Sequence, residues 1–469
     1  MESGGTMERK KIAIIGGGPA GYASAIRAAH LGAQVTLVEK DRVGGTCVNR
    51  GCIPTKSLIS SVNIYNTVRG SHEFGISVSA VHVDFPKMMR RKERIIQKTR
   101  DSILKLLEAN KVVLRNGCAT LNGPNEGVIR SRGGSEKFDA DYIILATGSK
   151  PKRLSNMNYD DPRILTTDEA LELDQVPESM IVLGGGAVGV EFACIFAGLG
   201  VKVFIIEAEN QLIPGEDRRI ARFLLQELTG MGIEVLLGCT MEDAAESNSS
   251  GIRIVTGDGN EIEAERLLVC IGREPFTQEL GIESLELKMT QKGVIRVDER
   301  MRTNTENIYA VGDVNGTAML AHAASAQGII AVENALGTEY TADYSVIPRC
   351  IYSNPEVASV GLNRDQARSA GRKARIGKSL FGGNGKALVM GNGGGLAQIV
   401  AEERTGKILG AQIIGPGASE MIAEMAVAVR NGLTAEDLGE TIHPHPTLGE
   451  IVQEAARDAY GKSIYKLPW

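Results

Sequence analysis

The sequence predicts an α/β fold: two doubly wound nucleotide-binding domains followed by a C-terminal α+β domain. Three observations carry that expectation. A glycine-rich turn lies between a strand and a helix near the N-terminus, the same unit returns in the same register mid-chain, and the pattern changes character after about Ile347. The length agrees, because 469 residues exceed what one hydrophobic core usually organises.

Lys11 to Ile15 reads as a strand buried on both faces. It leads into Gly16-Gly17-Gly18-Pro19-Ala20-Gly21, an alanine-rich helix to about His30, and a second strand, Gln34 to Val38, that ends at Glu39. This is G-x-G-x-x-G with a strand before it, a helix after it and an acidic residue about twenty positions on. Gly16 permits the turn, Gly18 lets a pyrophosphate approach the backbone, and Gly21 lets the helix pack on the strand. Glu39 can accept hydrogen bonds from ribose hydroxyls.

The unit recurs. Met180 to Leu183 leads into Gly184, Gly186 and Gly189, a helix from about Val190, and the strand Lys202 to Ile206 ending at Glu207. Glycine and carboxylate are separated equally in both copies, whereas chance glycine turns would share no spacing. Two dinucleotide sites and a Rossmann-like fold are implied. Glu207 favours NAD over NADP, since a carboxylate accepts from a free 2′-hydroxyl and repels a 2′-phosphate. No arginine lies between Glu207 and Ile213, the next being Arg218 and Arg219. The plainer alternative is that Glu207 caps a surface strand.

Further segments punctuate the chain. Tyr142 to Leu145 is a buried strand running into Ala146-Thr147-Gly148-Ser149 and ending at Lys150-Pro151. Leu267 to Ile271 has the same shape before Gly272, and Asn307 to Val311 ends in Gly312-Asp313. Residues 86 to 110 alternate basic and apolar positions at helical spacing and read as a helix with a solvated face. Beyond Ile347 the reading is strands with glycine turns, such as 382 to 395, then helices near 418–431 and 447–459. The expected division is 1–150 and 276–345 for the first nucleotide domain, 151–275 for the second, and 346–469 for the last.

Composition excludes several classes. With 52 basic and 57 acidic residues the net charge is −5, which gives no case for nucleic acid binding. No run is long enough for a transmembrane helix, and no metal site is expected. The start through Met7 lacks a secretory pattern and reads as a short extension before a second possible initiator. Seven scattered cysteines argue against an oxidised secreted scaffold and favour a reducing cytoplasm.

The densest chemistry lies in Gly44-Gly45-Thr46-Cys47-Val48-Asn49-Arg50-Gly51-Cys52-Ile53-Pro54-Thr55-Lys56. Two cysteines with four residues between them close too short a loop to be a useful structural staple. Near a helix start they favour the thiolate, so Cys47 and Cys52 read as a redox dithiol, the alternative being two buried, inert thiols. A second centre is Thr441-Ile442-His443-Pro444-His445-Pro446-Thr447-Leu448-Gly449-Glu450. Flanking prolines stiffen His445 and aim its ring. Glu450 reads either as the acid of a capping box with Thr447 or as the partner that holds the His445 tautomer and raises its basicity. For His443 a turn or packing role is expected.

These residues, with Ala146-Thr147-Gly148, Val311-Gly312-Asp313 and Pro355-Glu356-Val357-Ala358-Ser359-Val360-Gly361, make nearly the whole chain resemble the dihydrolipoamide dehydrogenase branch of the pyridine nucleotide–disulfide oxidoreductase family. The resemblance implies that the first fingerprint and Glu39 bind the ADP half of FAD. Ala119, Thr147, Gly148 and Ser149 would be further cofactor-binding positions. Asp313 would hold the ribityl chain, with Met319, Leu320, Ala321 and His322 nearby at a helix start. Gly184, Gly186, Gly189, Glu207 and Gly272 would bind NAD, and Lys56 with Glu191 would form an ion pair beside the flavin. Cys52 would be the charge-transfer thiol, Cys47 the thiol that exchanges with substrate sulfur, and His445 the acid–base catalyst oriented by Glu450. A homodimer with the active site shared between subunits is implied, with lipoyl-bearing protein domains as substrate and a place in 2-oxoacid dehydrogenase or glycine-cleavage systems.

Asn49-Arg50, Thr55 and Pro444 depart from the commonest version of these segments and leave every catalytic group in place. Rivals within the fold each lack a feature. A glutathione reductase would favour arginines after the second βαβ unit to hold NADP, and Glu207 argues against that. A mercuric reductase would end in a vicinal cysteine pair, and a large thioredoxin reductase in a C-terminal redox group, whereas Lys462 to Trp469 has neither. A soluble transhydrogenase would not need Cys47. A non-catalytic flavoprotein subunit would need neither the dithiol nor His445 and Glu450.

Overall fold

The computed structural model describes residues 9–242, 246–247 and 251–465; the possible extension before Met7 and the last four residues of the tail lie outside these. The chain forms two compact units, each assembled from three stretches of sequence. The first comprises the residues up to Ser57, Met89–Lys152 and Gly272–Asp343, and the second Leu58–Met88, Arg153–Ile271 and the residues from Tyr344 onward.

The first unit is organised by a five-stranded parallel sheet in the order Ile308–Ala310, Tyr142–Leu145, Lys11–Ile15, Gln34–Glu39, Val113–Asn116. Ile12 lies opposite both Val35 and Tyr142, so the first strand is central, with its sequence neighbour on one side and the later strand on the other. Ile14, Ile143, Ile144 and Leu145 are fully buried, as strands covered on both faces require. That order places a topological switch point at the carboxyl end of Lys11–Ile15, where Gly16 begins. Helix Pro19–His30 packs against helix Ala321–Ala335, and a three-stranded antiparallel sheet of Cys118–Leu121, Glu126–Ser131 and Gly134–Asp139 completes the unit.

The second unit repeats the design. Its parallel sheet runs Glu234–Leu237, Lys202–Glu207, Ser179–Leu183, Arg266–Val269, Ile164–Leu165. The helix after the glycines spans Ala187–Gly198, starting three residues earlier than its sequence suggests. The C-terminal region is a five-stranded antiparallel sheet, ordered Arg349–Ile351, Val357–Gly361, Ile408–Ile414, Leu396–Glu402, Ala374–Leu380. Helices Ala418–Arg430 and Glu450–Ala459 pack on it over Ile399, Ile413, Met425 and Val452.

Two expectations need correction. Residues 382–395 are not strand: they form a helical turn, Phe381–Gly383, then helix Gly385–Val389, because Asn384 accepts from the Ala387 N–H at 2.9 Å and caps the helix. The basic stretch is a helix, Phe85–Ala109, with the expected solvated face, but Lys92 is only 1% exposed on its inner side, with Nζ 2.9 Å from Glu93. Among the described residues, no helix is long and apolar enough to cross a membrane.

Candidate active site

The two glycine turns are superposable in their bonding. Gly16 N–H donates to Val38 and Gly184 N–H to Ile206, each at 2.8 Å. A β-carbon on Gly21 would lie 1.8 Å from the Gly16 carbonyl oxygen, and one on Gly189 would lie 1.9 Å from that of Gly184. Gly16 and Gly184 also sit at φ near +110°, where side chains are strained. Their carboxylates are held alike. Glu39 accepts from Gly17 N–H at 2.7 Å and Asp41 N–H at 2.8 Å, and Glu207 from Gly185 at 2.6 Å and Glu209 at 2.8 Å. Burial pushes the Glu39 carboxyl above its usual range, against those hydrogen bonds.

These cradles fit nucleotides. Around the middle glycines the space is open: a β-carbon on Gly186 would meet nothing within 4 Å, and one on Gly18 only the Gly45 backbone at 3.9 Å. Each carboxylate, with two oxygens and one backbone donor on each, keeps accepting capacity for a ribose. Arg218 is paired with Asp365 rather than free for a 2′-phosphate.

Around the first turn, Ser149 Oγ and Asp313 Oδ2 are 2.5 Å apart, and Arg273 Nε donates to Ser149 Oγ at 2.7 Å. Thr147 Oγ1 donates to the Phe276 carbonyl at 2.6 Å, and Gly148 turns the chain at φ +73°. Helix Ala321–Ala335 begins after Leu320 with no side-chain cap, so its N-terminus, beside Met319 and His322, is available to a ligand. Ala119 differs from these: its side chain is buried in the core with Ile15 and Val38. Gly272 lies in the first unit by its own contacts, its carbonyl accepting from Lys152 N–H at 3.0 Å. In the second unit Glu191 is buried and accepts from Tyr352 N–H at 3.0 Å, a contact sequence reasoning had no signal to find.

The dithiol bridges two helices. Cys47 lies in Gly45–Arg50 and Cys52 begins Cys52–Arg69. The thiols share a hydrogen bond, and Cys47 is pushed well above the ordinary thiol range by it first, then by burial and by the neighbouring Cys52 charge. These effects favour the protonated form of Cys47, while Cys52 stands exposed at the start of its helix. Nearby, burial and the two cysteines raise Tyr22. The unusual residues of this segment are structural. Asn49 Nδ2 lies within hydrogen-bond distance of the Arg42, Val43 and Gly45 carbonyls, Arg50 pairs with Asp41, and Thr55 Oγ1 donates to Gly51 at 2.7 Å.

The C-terminal histidines separate cleanly. His443 has a side chain 7% exposed and both ring nitrogens engaged, by the Thr441 carbonyl and Glu424 Oε1, each at 2.9 Å. The His445 side chain is 78% exposed, with Nδ1 2.9 Å from Glu450 Oε1. The capping box is only half present: Glu450 Oε2 accepts from Thr447 N–H at 2.9 Å, but the Thr447 hydroxyl donates to the Pro444 carbonyl at 2.8 Å. Glu450 thus performs both roles the sequence offered it, with one oxygen each.

Comparison with known proteins bears on this arrangement. Residues 10–328 match the pyridine nucleotide-disulphide oxidoreductase family and residues 347–456 match its dimerisation domain. The chain belongs to that family. As a member it is a flavoprotein oxidoreductase that uses FAD and NAD. It is 40% identical over 468 residues to a dihydrolipoyl dehydrogenase of Bacillus subtilis, covering 97% of this chain and 98% of that one. It is 39% identical over 465 residues to a dihydrolipoyl dehydrogenase of Haloferax volcanii, covering 97% and 98%. Among solved structures, LpdA from Mycobacterium tuberculosis aligns with a TM-score of 0.90 at 28% identity, over 96% of this chain and 99% of that chain. The HOCl-induced flavoprotein disulfide reductase RclA from Escherichia coli aligns with a TM-score of 0.85 at 26% identity, over 94% and 98%.

Proposed function

We propose that this family member is a dihydrolipoyl dehydrogenase: it oxidises protein-bound dihydrolipoamide to lipoamide and reduces NAD, serving 2-oxoacid dehydrogenase or glycine-cleavage assemblies in the cytoplasm. The carrying observation is the coexistence of a proton-sharing dithiol with a histidine oriented by a carboxylate, on a chain with NAD-type rather than NADP-type cradles. The named relatives support the reading. We read 1–150 and 276–345 as the FAD domain, 151–275 as the NAD domain and 346–469 as the dimerisation domain.

Within that reading, Glu450 keeps the ring proton on Nδ1, so Nε2 of His445 takes a proton from the substrate dithiol. The substrate thiolate attacks Cys47 of the oxidised pair, Cys52 departs as a thiolate, and the second substrate sulfur displaces Cys47. Two S–H bonds are lost from the substrate, one proton going to His445 and the other to the departing Cys47 sulfur, while one S–S bond forms in the substrate and one opens in the enzyme. A bound FAD would supply an acceptor for the electron pair of the reduced cysteines, and NAD a final hydride acceptor. Gly16, Gly18, Gly21, Glu39, Ser149, Asp313 and the start of helix Ala321–Ala335 would hold the first cofactor, and Gly184, Gly186, Gly189 and Glu207 the second. Lys56 and Glu191 would balance charge beside the flavin. A side chain as exposed as His445 makes a poor catalyst unless something covers it, and a second copy in a homodimer would do so.

The test is steady-state turnover of the FAD-loaded protein with dihydrolipoamide, comparing NAD with NADP, beside His445→Gln. NAD reduction that collapses in the variant is the expected result. No turnover of dihydrolipoamide by a properly loaded dimer would overturn the proposal.

A further inference from the structure

Helix Phe85–Ala109 carries a feature that this reaction does not use. Its inner face is buried through Phe85, Met88, Ile96, Ile103 and Leu107. On the opposite face Lys87, Arg90, Arg94 and Lys98 recur every three or four residues, and all four are exposed. At 1.5 Å of rise per residue they form a cationic row about 16 Å long. None of the four side chains has an ion-pair or hydrogen-bond partner among the described residues, whereas Lys10, Lys11, Arg50 and Lys92 each have an acid beside them. Acids on the same helix are occupied elsewhere: Glu93 by Lys92, and Asp101 by Gln97. Asp84 accepts the Lys87 backbone N–H at 2.9 Å, and Glu108 lies beyond the row. In a chain of net charge −5, four aligned and unpaired cations are a local excess of the minority sign.

The helix is also tied to the dithiol segment at two points. Arg100 Nη1 lies 3.4 Å from Asn49 Oδ1, two residues after Cys47, and Arg91 Nη1 donates to the Ser57 carbonyl and hydroxyl at 3.2 and 3.1 Å, within the helix that Cys52 begins. The helix that carries the basic row thus stands beside the segment that holds Cys47 and Cys52.

Resting on the function proposed above, we propose that Lys87, Arg90, Arg94 and Lys98 form a docking rail for the lipoyl-bearing protein substrate, which they recognise by carboxylates near its lipoyl-lysine. A second copy of this chain packed row to row is a poor occupant, because the row would meet its own charge. The rail acts on encounter rather than on chemistry, so it raises association with acidic substrates and leaves neutral dihydrolipoamide untouched.

The experiment uses the FAD-loaded full-length enzyme and Arg90→Glu/Arg94→Glu/Lys98→Glu, with retention of the wild-type oligomer checked by sedimentation. Substrates are free dihydrolipoamide and two synthetic peptides carrying dihydrolipoyl-lysine flanked by glutamates or by glutamines. Wild type should prefer the glutamate peptide in kcat/KM by about tenfold at low salt, and the preference should fade as ionic strength rises. The triple variant should lose the preference and keep its rate with free dihydrolipoamide. Equal use of both peptides by wild type, or an undiminished preference in the variant, overturns the rail. Failure of wild type with free dihydrolipoamide would instead refute the enzymatic reading. Calorimetric titration with the two oxidised peptides would then decide the rail by itself.

Discussion

Replacing Glu450 with Gln tests the orientation of His445 most directly, because the side chain keeps its size and loses one capacity. In the native protein one carboxylate oxygen accepts from His445 Nδ1 and the other from Thr447 N–H, both at 2.9 Å. An amide offers one accepting oxygen and one donating nitrogen. The Thr447 N–H can only donate, so it claims the oxygen and leaves the amide NH2 facing Nδ1. The histidine must then accept at Nδ1, its proton moves to Nε2, and the nitrogen needed as base is occupied. A hydrogen bond to a charged group contributes about 1.5–3 kcal/mol, and partial exposure of this pair puts it at the lower end. At about 1.4 kcal/mol per factor of ten, the expected loss in dihydrolipoamide turnover is about 10- to 30-fold.

The assay is stopped-flow reduction of the enzyme-bound flavin by dihydrolipoamide across a pH series, with NADH as a second reductant that bypasses the histidine. The Glu450 carboxyl is held below its usual range, chiefly by the Thr447 N–H and to a lesser degree by His445. A depressed folded-state value means that its stabilising contribution is present above the unfolded carboxyl pKa of about 4.3 and is lost as the pH falls through the lower folded value. The native orientation should therefore persist through the neutral range and weaken only on the acid side, whereas the Gln variant should be impaired at every pH. Turnover within twofold of wild type would refute the orienting role, and an equal loss with NADH would assign the effect to folding rather than to the base.

Three other perturbations follow from the same geometry. Cys47→Ser should leave the Cys52 thiolate beside the flavin and so show long-wavelength charge-transfer absorbance without any reductant, while Cys52→Ser should lack it; the reverse pattern would exchange the two roles. Gly189→Ala should destabilise the second unit, since its β-carbon would sit 1.9 Å from the Gly184 carbonyl, whereas Gly186→Ala meets nothing within 4 Å. The latter should stay within about 0.5 kcal/mol of wild type in urea unfolding, yet raise KM for NAD by filling the space a pyrophosphate needs. His443→Ala, which strips partners from Glu424 and Thr441, should cost about 1–2 kcal/mol in urea unfolding of the FAD-loaded protein. A variant as stable as wild type would show that His443 is not a structural tie.

What could be read from the sequence follows a physical rule. At Gly16, Gly21, Gly184 and Gly189 the residue type alone dictates the backbone, because any β-carbon collides with a neighbouring carbonyl, so two copies of the unit could be placed with their carboxylates. The dithiol and His445 were legible for a similar reason, since few other arrangements explain those residue types so close together. Segments governed by choice among partners were not. Residues 382–395 looked like glycine-linked strands, and only the Asn384 side chain, accepting from Ala387 and donating to the Thr447 carbonyl, selects the helix. Thr447 and Glu450 satisfied the spacing of a capping box, yet the hydroxyl found the Pro444 carbonyl and freed a carboxylate oxygen for His445. Lys92 has the composition of a solvated residue, but its helical phase matches that of Phe85, Met88 and Ile96, and the phase prevailed. The same phase argument separates the four outer cations from Lys92: the sequence shows eight basic residues on one helix, and only the folded surface shows that Lys87, Arg90, Arg94 and Lys98 have nothing of their own to bind among the described residues.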